Sequence, residues 1–550
     1  MMAEATLAAP RGAKDSALAF PVSLALAICA LWVFAGLVGH EPWRPDEADS
    51  FGIVYEMLQT GDWVLPTLAG EPLLRSPPLP ALSAALLARV LEPLLPLHDG
   101  ARVATGIWMA LALLCLGAAA RELVGRGKSW LAPLALVGCV GLILPAHFML
   151  PEIPQLAGMA LAIFGWALGL RRALWGGLAL GTGVGIAFLS RGLFAPVCAA
   201  LTAALLPLLN RQWRSRRYAA VLAVAAVAAL PWLTLWPALL YLRSPELFQQ
   251  WLWAENLARL GPLWPLDRPG YFFAILPWFA FPVLPLALWG LWVERDRWSD
   301  PAIALPLALA VVMLAMLTFG SASPDALALP VLLPLSLLAV IGLLHLPRSP
   351  SNASWWFSLL FFSFLVLMAW FEWFALEVGV PAARHRHWLR LEPGYVPHIE
   401  ALVVTASLLL SGAWVWLLLR LRRSAHRSLL AWASGVAIIW ALAFTMFNDY
   451  IDVDKSYRDV MLTIGRELSR SRACVSSYNL GDSQRAMLHY YAGIRTWREG
   501  VPGRSRPCDV LLVQGARTRM FVPGPEWVQF WEGQRRGERR ELFRLYRRAS

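Results

Sequence analysis

Apolar runs of about 17–24 residues recur along most of the chain, each long enough to cross the roughly 30 Å hydrocarbon layer as a helix. They predict thirteen membrane helices near 17–39, 101–121, 130–148, 155–170, 173–190, 193–209, 218–241, 271–293, 302–319, 326–346, 354–376, 399–421 and 428–447. The stretch 79–96 stands apart. Pro77-Pro78-Leu79-Pro80 opens it and Pro93 and Pro96 break its end, leaving a short helix suited to the interface rather than to a crossing. After Asn448 the pattern changes to that of an ordinary soluble sequence. A helix near 456–470 (Tyr457, Val460, Ile464, Leu468) precedes apolar strands at Ala473–Ser476, Asp509–Val513 and Leu542–Tyr546. The predicted fold class is an all-α polytopic membrane unit, 1–447, followed by a small α/β domain, 448–550.

Composition agrees. Hydrophobic residues make up 58% of the chain and charged ones 15%, where a soluble domain carries roughly a quarter charged. The net charge of +12 is an orientation signal rather than a nucleic-acid footprint, because Arg and Lys gather in cytoplasmic loops. With 79–96 lying on the surface, Arg211, Arg214, Arg216, Arg217, Arg420, Arg422, Arg423 and Arg427 all fall on one side. That side is then cytoplasmic, with the N-terminus (Arg11, Lys14) and without a cleaved signal peptide. Loops 40–100, 149–154, 242–270, 320–325 and 377–398 and the tail from 448 then face the periplasm of a bacterial inner membrane. Cys29, Cys115, Cys139 and Cys198 lie inside apolar runs as packing residues, whereas Cys474 and Cys508 lie in the tail and can pair if it is periplasmic. The basic tail residues Arg535, Arg536, Arg539 and Arg540 read as a solvated or lipid-facing surface, and no nucleic-acid partner is expected.

The periplasmic loops carry the candidate chemistry. Asp46 and Glu47, with Asp49 close behind, directly follow the first membrane helix. A carboxylate there can take the proton of an attacking hydroxyl, or it can simply favour the first turn of an amphipathic helix over 48–59. Arg75 can clamp a phosphate or meet lipid headgroups. Glu152 sits where one span ends and the next begins, and an ionisable group at membrane depth is a functional candidate. Arg191 falls on the side where loop-charge bias does not want it, which favours phosphate binding over a plain helix-end cation. In the loop 242–270, Glu255 and Arg259 are spaced for either a surface pair or a site, beside Trp251, Trp253 and Asn256. His385 and His387 lack the further ligands of a metal centre.

In this order the pieces resemble a known family. Pro45-Asp46-Glu47, Glu56-Met57-Leu58, Gly61-Asp62-Trp63-Val64, Pro66, Gly70 and Pro77-Pro78-Leu79 look like the first periplasmic loop of the aminoarabinose transferases. These are GT-C glycosyltransferases related to protein O-mannosyltransferases. The similarity continues through Glu152, Gly185–Gly192 with Arg191 in place of the family's Lys, Glu255-Asn256, Arg259 and Leu276-Pro277-Trp278, and into the tail from Asp452. The resemblance implies an inverting transfer from an undecaprenyl-phosphate (polyprenyl-phosphate) sugar to a periplasmic lipid, glycan or protein acceptor, with 4-amino-4-deoxy-L-arabinose and lipid A as the family's pair. Asp46 would be the base, assisted by Glu47 or Glu152, and Arg75, Arg191 and Arg259 would hold the phosphate, with Glu255, Asn256 and Asp49 as further substrate contacts.

Departures loosen the substrate. Asp49 stands where the family has Arg, Arg75-Ser76 where it has Glu-Lys, and Asn256 where it has His, and the pattern around Ser323–Pro330 is degraded. Lost polar contacts at a sugar site change which sugar fits, and the lost Glu and His remove metal ligands. No cofactor or metal is expected, and a monomer is. The rival readings are a lipid-linked sugar flippase or transporter and a protein O-glycosyltransferase. A transporter would place its ionisable groups near mid-membrane, whereas here they gather at one face.

Overall fold

The protein's structure, a computed structural model, describes residues 22–258, 270–319, 325–421, 424, 426–469, 474–499, 508–516, 519–535, 538 and 541–549. Arg259 therefore lies outside the described residues, as do Arg11, Lys14, Ser323, Arg422, Arg423, Arg536, Arg539 and Arg540.

A helical segment stands at each of the thirteen predicted places. Among the described residues nine helices are individually long and apolar enough to cross a membrane, and eleven if each of two bent pairs is one span. The bent pairs are Arg126–Val137 with Val140–His147, at 69°, and Tyr271–Phe279 with Val283–Val293, at 97°. Val22–Phe34 and Phe194–Leu209 are shorter apolar helices. The chain is thus a membrane protein, and its described helices give nine to eleven spans where the sequence predicts thirteen. The Leu79–Leu91 helix has 13 residues, about 20 Å at 1.5 Å per residue, too short for a crossing.

Two neighbouring helices, Glu152–Gly169 and Ala173–Arg191, pack backbone to backbone because small residues line their contact. A Cβ on Gly158 would sit 2.6 Å from the Ala187 nitrogen and 2.6 Å from the Gly183 carbonyl oxygen. This contact fixes the relative height of the two helices that carry Glu152 and Arg191.

Between the first membrane helix and Leu79–Leu91 lie a first-loop helix, Asp46–Thr60, and a two-stranded hairpin, β1 (Thr67–Leu68) with β2 (Glu71–Pro72). The C-terminal unit is a five-stranded mixed sheet of β3 (Val475–Tyr478), β4 (Trp497–Arg498), β5 (Val510–Gly515), β6 (Trp527–Gln534) and β7 (Leu542–Arg548), in the order β4-β3-β5-β7-β6. Three strands and the Arg458–Ser469 helix match expectation. Unexpected are β4, β6 and the helix Asp482–Ala492, here named the docking helix, which lies against the first-loop helix. Gly52 permits this approach, since a Cβ there would come within 2.5 Å of the Ala486 Cβ. Cys474 and Cys508 are disulfide-bonded, with Cα atoms 5.0 Å apart.

Replacing Gly158 by Val is expected to destabilise the protein by about 1–3 kcal/mol, the usual cost of overpacking. Thermal unfolding in detergent checks this, and an unchanged midpoint would contradict the backbone contact.

Candidate active site

The chain leaves the first membrane helix at Phe34 and enters the first-loop helix at Asp46, so the intervening residues decide where that carboxylate sits. Arg102, fully buried, reaches across from Leu97–Leu123 and holds them. Its guanidinium donates to Glu47 Oε1 and Asp99 Oδ1, each at 2.6 Å, and to the carbonyls of Leu37 at 3.3 Å, His40 at 3.2 Å and Glu41 at 3.4 Å. The other Glu47 oxygen accepts the Trp43 backbone N–H at 3.1 Å. Glu47 is 1% exposed and both oxygens are engaged inside the protein. The role expected for it, assisting the base, gives way to a structural one, because a buried ionised carboxylate must be paired.

Asp46, one residue earlier, is exposed. The helix begins without a side-chain cap, with Pro45 at the cap position, so Asp46 is not consumed as a cap. It remains in the first turn, where the helix dipole favours a negative charge.

Arg191 and Glu152 come together. Arg191 Nη2 lies 3.1 Å from Glu152 Oε1, and Nη1 donates to Ser76 Oγ at 3.2 Å. Ser76 also lines a mainly apolar cleft between the first-loop helix, Leu79–Leu91, Leu97–Leu123 and the Met149–Pro154 segment. Arg191 ends its helix at Gly192, whose φ of +78° is in the range that favours glycine and whose absent Cβ leaves room for Asn256. Asn256 Oδ1 accepts the Leu193 N–H at 2.9 Å, and its Nδ2 donates to the Trp251 carbonyl at 3.0 Å. Expected as a substrate contact, Asn256 is instead a buried clamp between the Arg191 helix end and the π-helical turn Trp251–Leu257. Glu255 is half-buried on that turn. Trp251 is core against Phe188 and Trp236, whereas Trp253 is exposed.

Arg75 does not reach this group. Its guanidinium lies 3.1 Å from Asp482 Oδ2 and 3.7 Å from Asp49 Oδ2. Asp49 also accepts a 2.6 Å hydrogen bond from Ser483 Oγ. Asp482 and Ser483 open the docking helix, and the tail's contribution here was invisible to sequence reasoning. Because Arg75 and Ser76 are adjacent, the two groups of charged residues border one another. The same docking helix is pinned further along by Arg485 to Glu71 at 2.7 Å and His489 to Glu56 at 3.2 Å.

Among the described residues, His398, Glu400 and Asp449 are close enough to share a metal ion, with donor atoms within 4.8 Å of one another. All three are exposed and lie outside the groups described above. His385 sits near the carbonyls of Ala375 and Leu376, at 3.0 and 3.1 Å.

Burial raises the Asp49 carboxyl to about 6. The Ser483 hydrogen bond works against this, the Asp482 charge adds to it, Arg75 opposes it and Asp46 adds again. The folded protein thus binds this proton more tightly than the unfolded chain does. The associated stabilisation is complete below the ordinary value of 3.8 and is lost as the pH rises through about 6. Asp49→Asn should therefore raise stability above pH ~7 by on the order of 2 kcal/mol, and leave it unchanged below pH ~4. Thermal unfolding at both pH values checks this, and an equal shift at both would contradict it.

No protein-family model matches the chain. Curated relatives do. It is 31% identical over 331 residues to the undecaprenyl phosphate-alpha-4-amino-4-deoxy-L-arabinose arabinosyl transferase of Pseudomonas aeruginosa (strain UCBPP-PA14), covering 58% of each chain. The transferase of the same name from Serratia proteamaculans (strain 568) is 26% identical over 327 residues, 56% of each chain. The match thus spans little more than half the length of these relatives. The fold extends further: the solved structure of ArnT from Cupriavidus metallidurans bound to undecaprenyl phosphate superposes with a TM-score of 0.72. It does so at 18% identity, over 96% of this chain and 98% of that one. The apo form gives 0.69. The chain therefore has the fold of these solved ArnT structures and, over 58% of its length, is similar in sequence to arabinosyl transferases that use undecaprenyl phosphate.

Proposed function

We propose that the protein is an inverting glycosyltransferase that moves a sugar from an undecaprenyl-phosphate donor to a lipid or glycan acceptor. The reaction named by the similar transferases uses 4-amino-4-deoxy-L-arabinose, and lipid A is the acceptor that the resemblance implies. The observation that carries the reading is the Arg191–Glu152–Ser76 group beside an apolar cleft. A guanidinium next to an apolar groove suits a prenyl phosphate, whose head is anionic and whose tail is hydrocarbon.

Phosphate leaves readily, so the reaction asks little beyond a base on the acceptor side and positive charge on the leaving side. Asp46, exposed and uncommitted to a cap, takes the proton of the acceptor hydroxyl. The hydroxyl oxygen bonds to the anomeric carbon from the face opposite the phosphate, and the carbon–oxygen bond to phosphate breaks with its electron pair. Arg191 then stabilises the departing undecaprenyl phosphate. Glu152 holds Arg191 in place. Under this reading residues 1–447 form the catalytic membrane unit with a cytoplasmic N-terminus. The first loop, the cleft and the domain 448–550 face the periplasm, as the arginine bias of the opposite loops supports.

The test is transfer of labelled sugar from undecaprenyl-phosphate donors by purified protein. Asp46→Ala is expected to lower kcat by roughly 10²-fold or more, in the range of general-base losses, without changing the unfolding midpoint. Turnover undiminished in that variant would sink the assignment of the base.

A further inference from the structure

We propose that Ser483, contributed by the C-terminal unit, is a positioning residue for Asp46, gripping both ends of the helical turn on which that carboxylate stands. The inference rests on the reading of Asp46 as the base.

Ser483 is 434 residues from Asp49 and 438 from Pro45 in sequence, yet its hydroxyl is 2.6 Å from Asp49 Oδ1 and 3.1 Å from the Pro45 carbonyl oxygen. Pro45 and Asp49 bracket Asp46. The same Pro45 oxygen accepts the Asp49 backbone N–H at 3.2 Å, a hydrogen bond of the helix's first turn. A carbonyl oxygen has two lone pairs, so Ser483 occupies the one that the helix leaves free. Pro45 offers no capping side chain, and the Ala48 N–H at this helix end bonds the Trp43 carbonyl at 3.1 Å. The grip is rigid because Ser483 is 6% exposed and lies on the docking helix. Ala486, three residues on, abuts Gly52, and Arg485 and His489 pair with Glu71 and Glu56.

Proton counting ties the two-ended grip to protonated Asp49, because ionised Asp49 takes the single hydroxyl proton and leaves the Pro45 carbonyl without a donor from Ser483. A hydroxyl has one proton to give and can accept others. Ionised Asp49 takes it across the shorter contact. Protonated Asp49 instead donates to Ser483 Oγ, which frees the hydroxyl proton for Pro45. The titratable groups facing this point are Asp49 and Asp46 on the first-loop helix, Arg75 on the loop before Leu79–Leu91 and Asp482 on the docking helix. The position of Asp49's titration, near 6, keeps both forms within reach.

The experiment compares full-length wild type, Ser483→Ala and Ser483→Thr, measuring sugar transfer and hydrogen exchange at the Ala48 and Asp49 amides, both hydrogen-bonded in the first turn. Ser483→Ala is expected to speed exchange at these amides at least ~10-fold. It should also lower kcat by ~10-fold with the donor KM within about twofold, the pattern of a group acting through transition-state geometry. Ser483→Thr, which keeps the hydroxyl, should restore both. Unchanged exchange in Ser483→Ala, or faster exchange with kcat intact, would overturn the proposal. Failure of Thr to restore either would overturn it as well, reducing Ser483 to a packing residue. If wild type transfers no sugar from any polyprenyl-phosphate donor, the glycosyltransferase reading falls, while the exchange measurement still decides whether Ser483 holds the turn.

Discussion

The structure of the exposed face depends on one buried guanidinium. Arg102 lies at 0% exposure between Glu47 and Asp99 and also binds the backbone carbonyls of Leu37, His40 and Glu41. Taking three charges out of water is costly, and removing one member of such a group typically costs about 3–5 kcal/mol because the others stay buried. The arrangement has a compensating use. Carbonyls that the chain leaves unpaired between Phe34 and Asp46 find a donor, and the second oxygen of Glu47 takes the Trp43 N–H. The chain therefore turns from the membrane into the first-loop helix along one path, and Asp46 is delivered at the start of that helix with its side chain outward.

The rest of the candidate site is assembled on this frame from distant parts of the sequence. The glycine-lined contact of Glu152–Gly169 with Ala173–Arg191 brings Glu152 to Arg191, and Asn256 locks the end of the Arg191 helix. The C-terminal sheet sends its docking helix onto the other side of the first-loop helix, where Asp482 and Ser483 meet Arg75 and Asp49. Ser76 and Arg75, neighbours in sequence, turn one toward Arg191 and the other toward the docking helix.

Hydrophobic run lengths were enough to find the helices and to set Leu79–Leu91 apart, because the membrane imposes its thickness on sequence. Resemblance singled out Asp46, Glu152 and Arg191 as candidates. What stayed hidden was pairing. Asp46 and Glu47 are adjacent carboxylates that no local pattern distinguishes, and they part only because one faces Arg102 and the other does not. Arg102 itself stood just inside the apolar run 101–121 and was not singled out; an arginine entering membrane depth was the signal that could have marked it. Asn256 looked like a substrate contact because its two backbone partners, Leu193 and Trp251, are fixed only by the fold. The docking helix escaped because Asp482–Ala492 mixes polar and apolar residues over just 11 positions, and β6 because an edge strand lacks a buried face to repeat.

The central claim is that Arg191, steadied by Glu152 and Ser76, receives the phosphate of an undecaprenyl-phosphate donor. Its most direct test is the affinity of purified protein in nanodiscs for undecaprenyl phosphate, comparing wild type with Arg191→Ala. Loss of a charge-assisted contact worth about 1.5–3 kcal/mol predicts binding weaker by roughly 10-fold or more. Equal affinity in the two proteins would contradict the account.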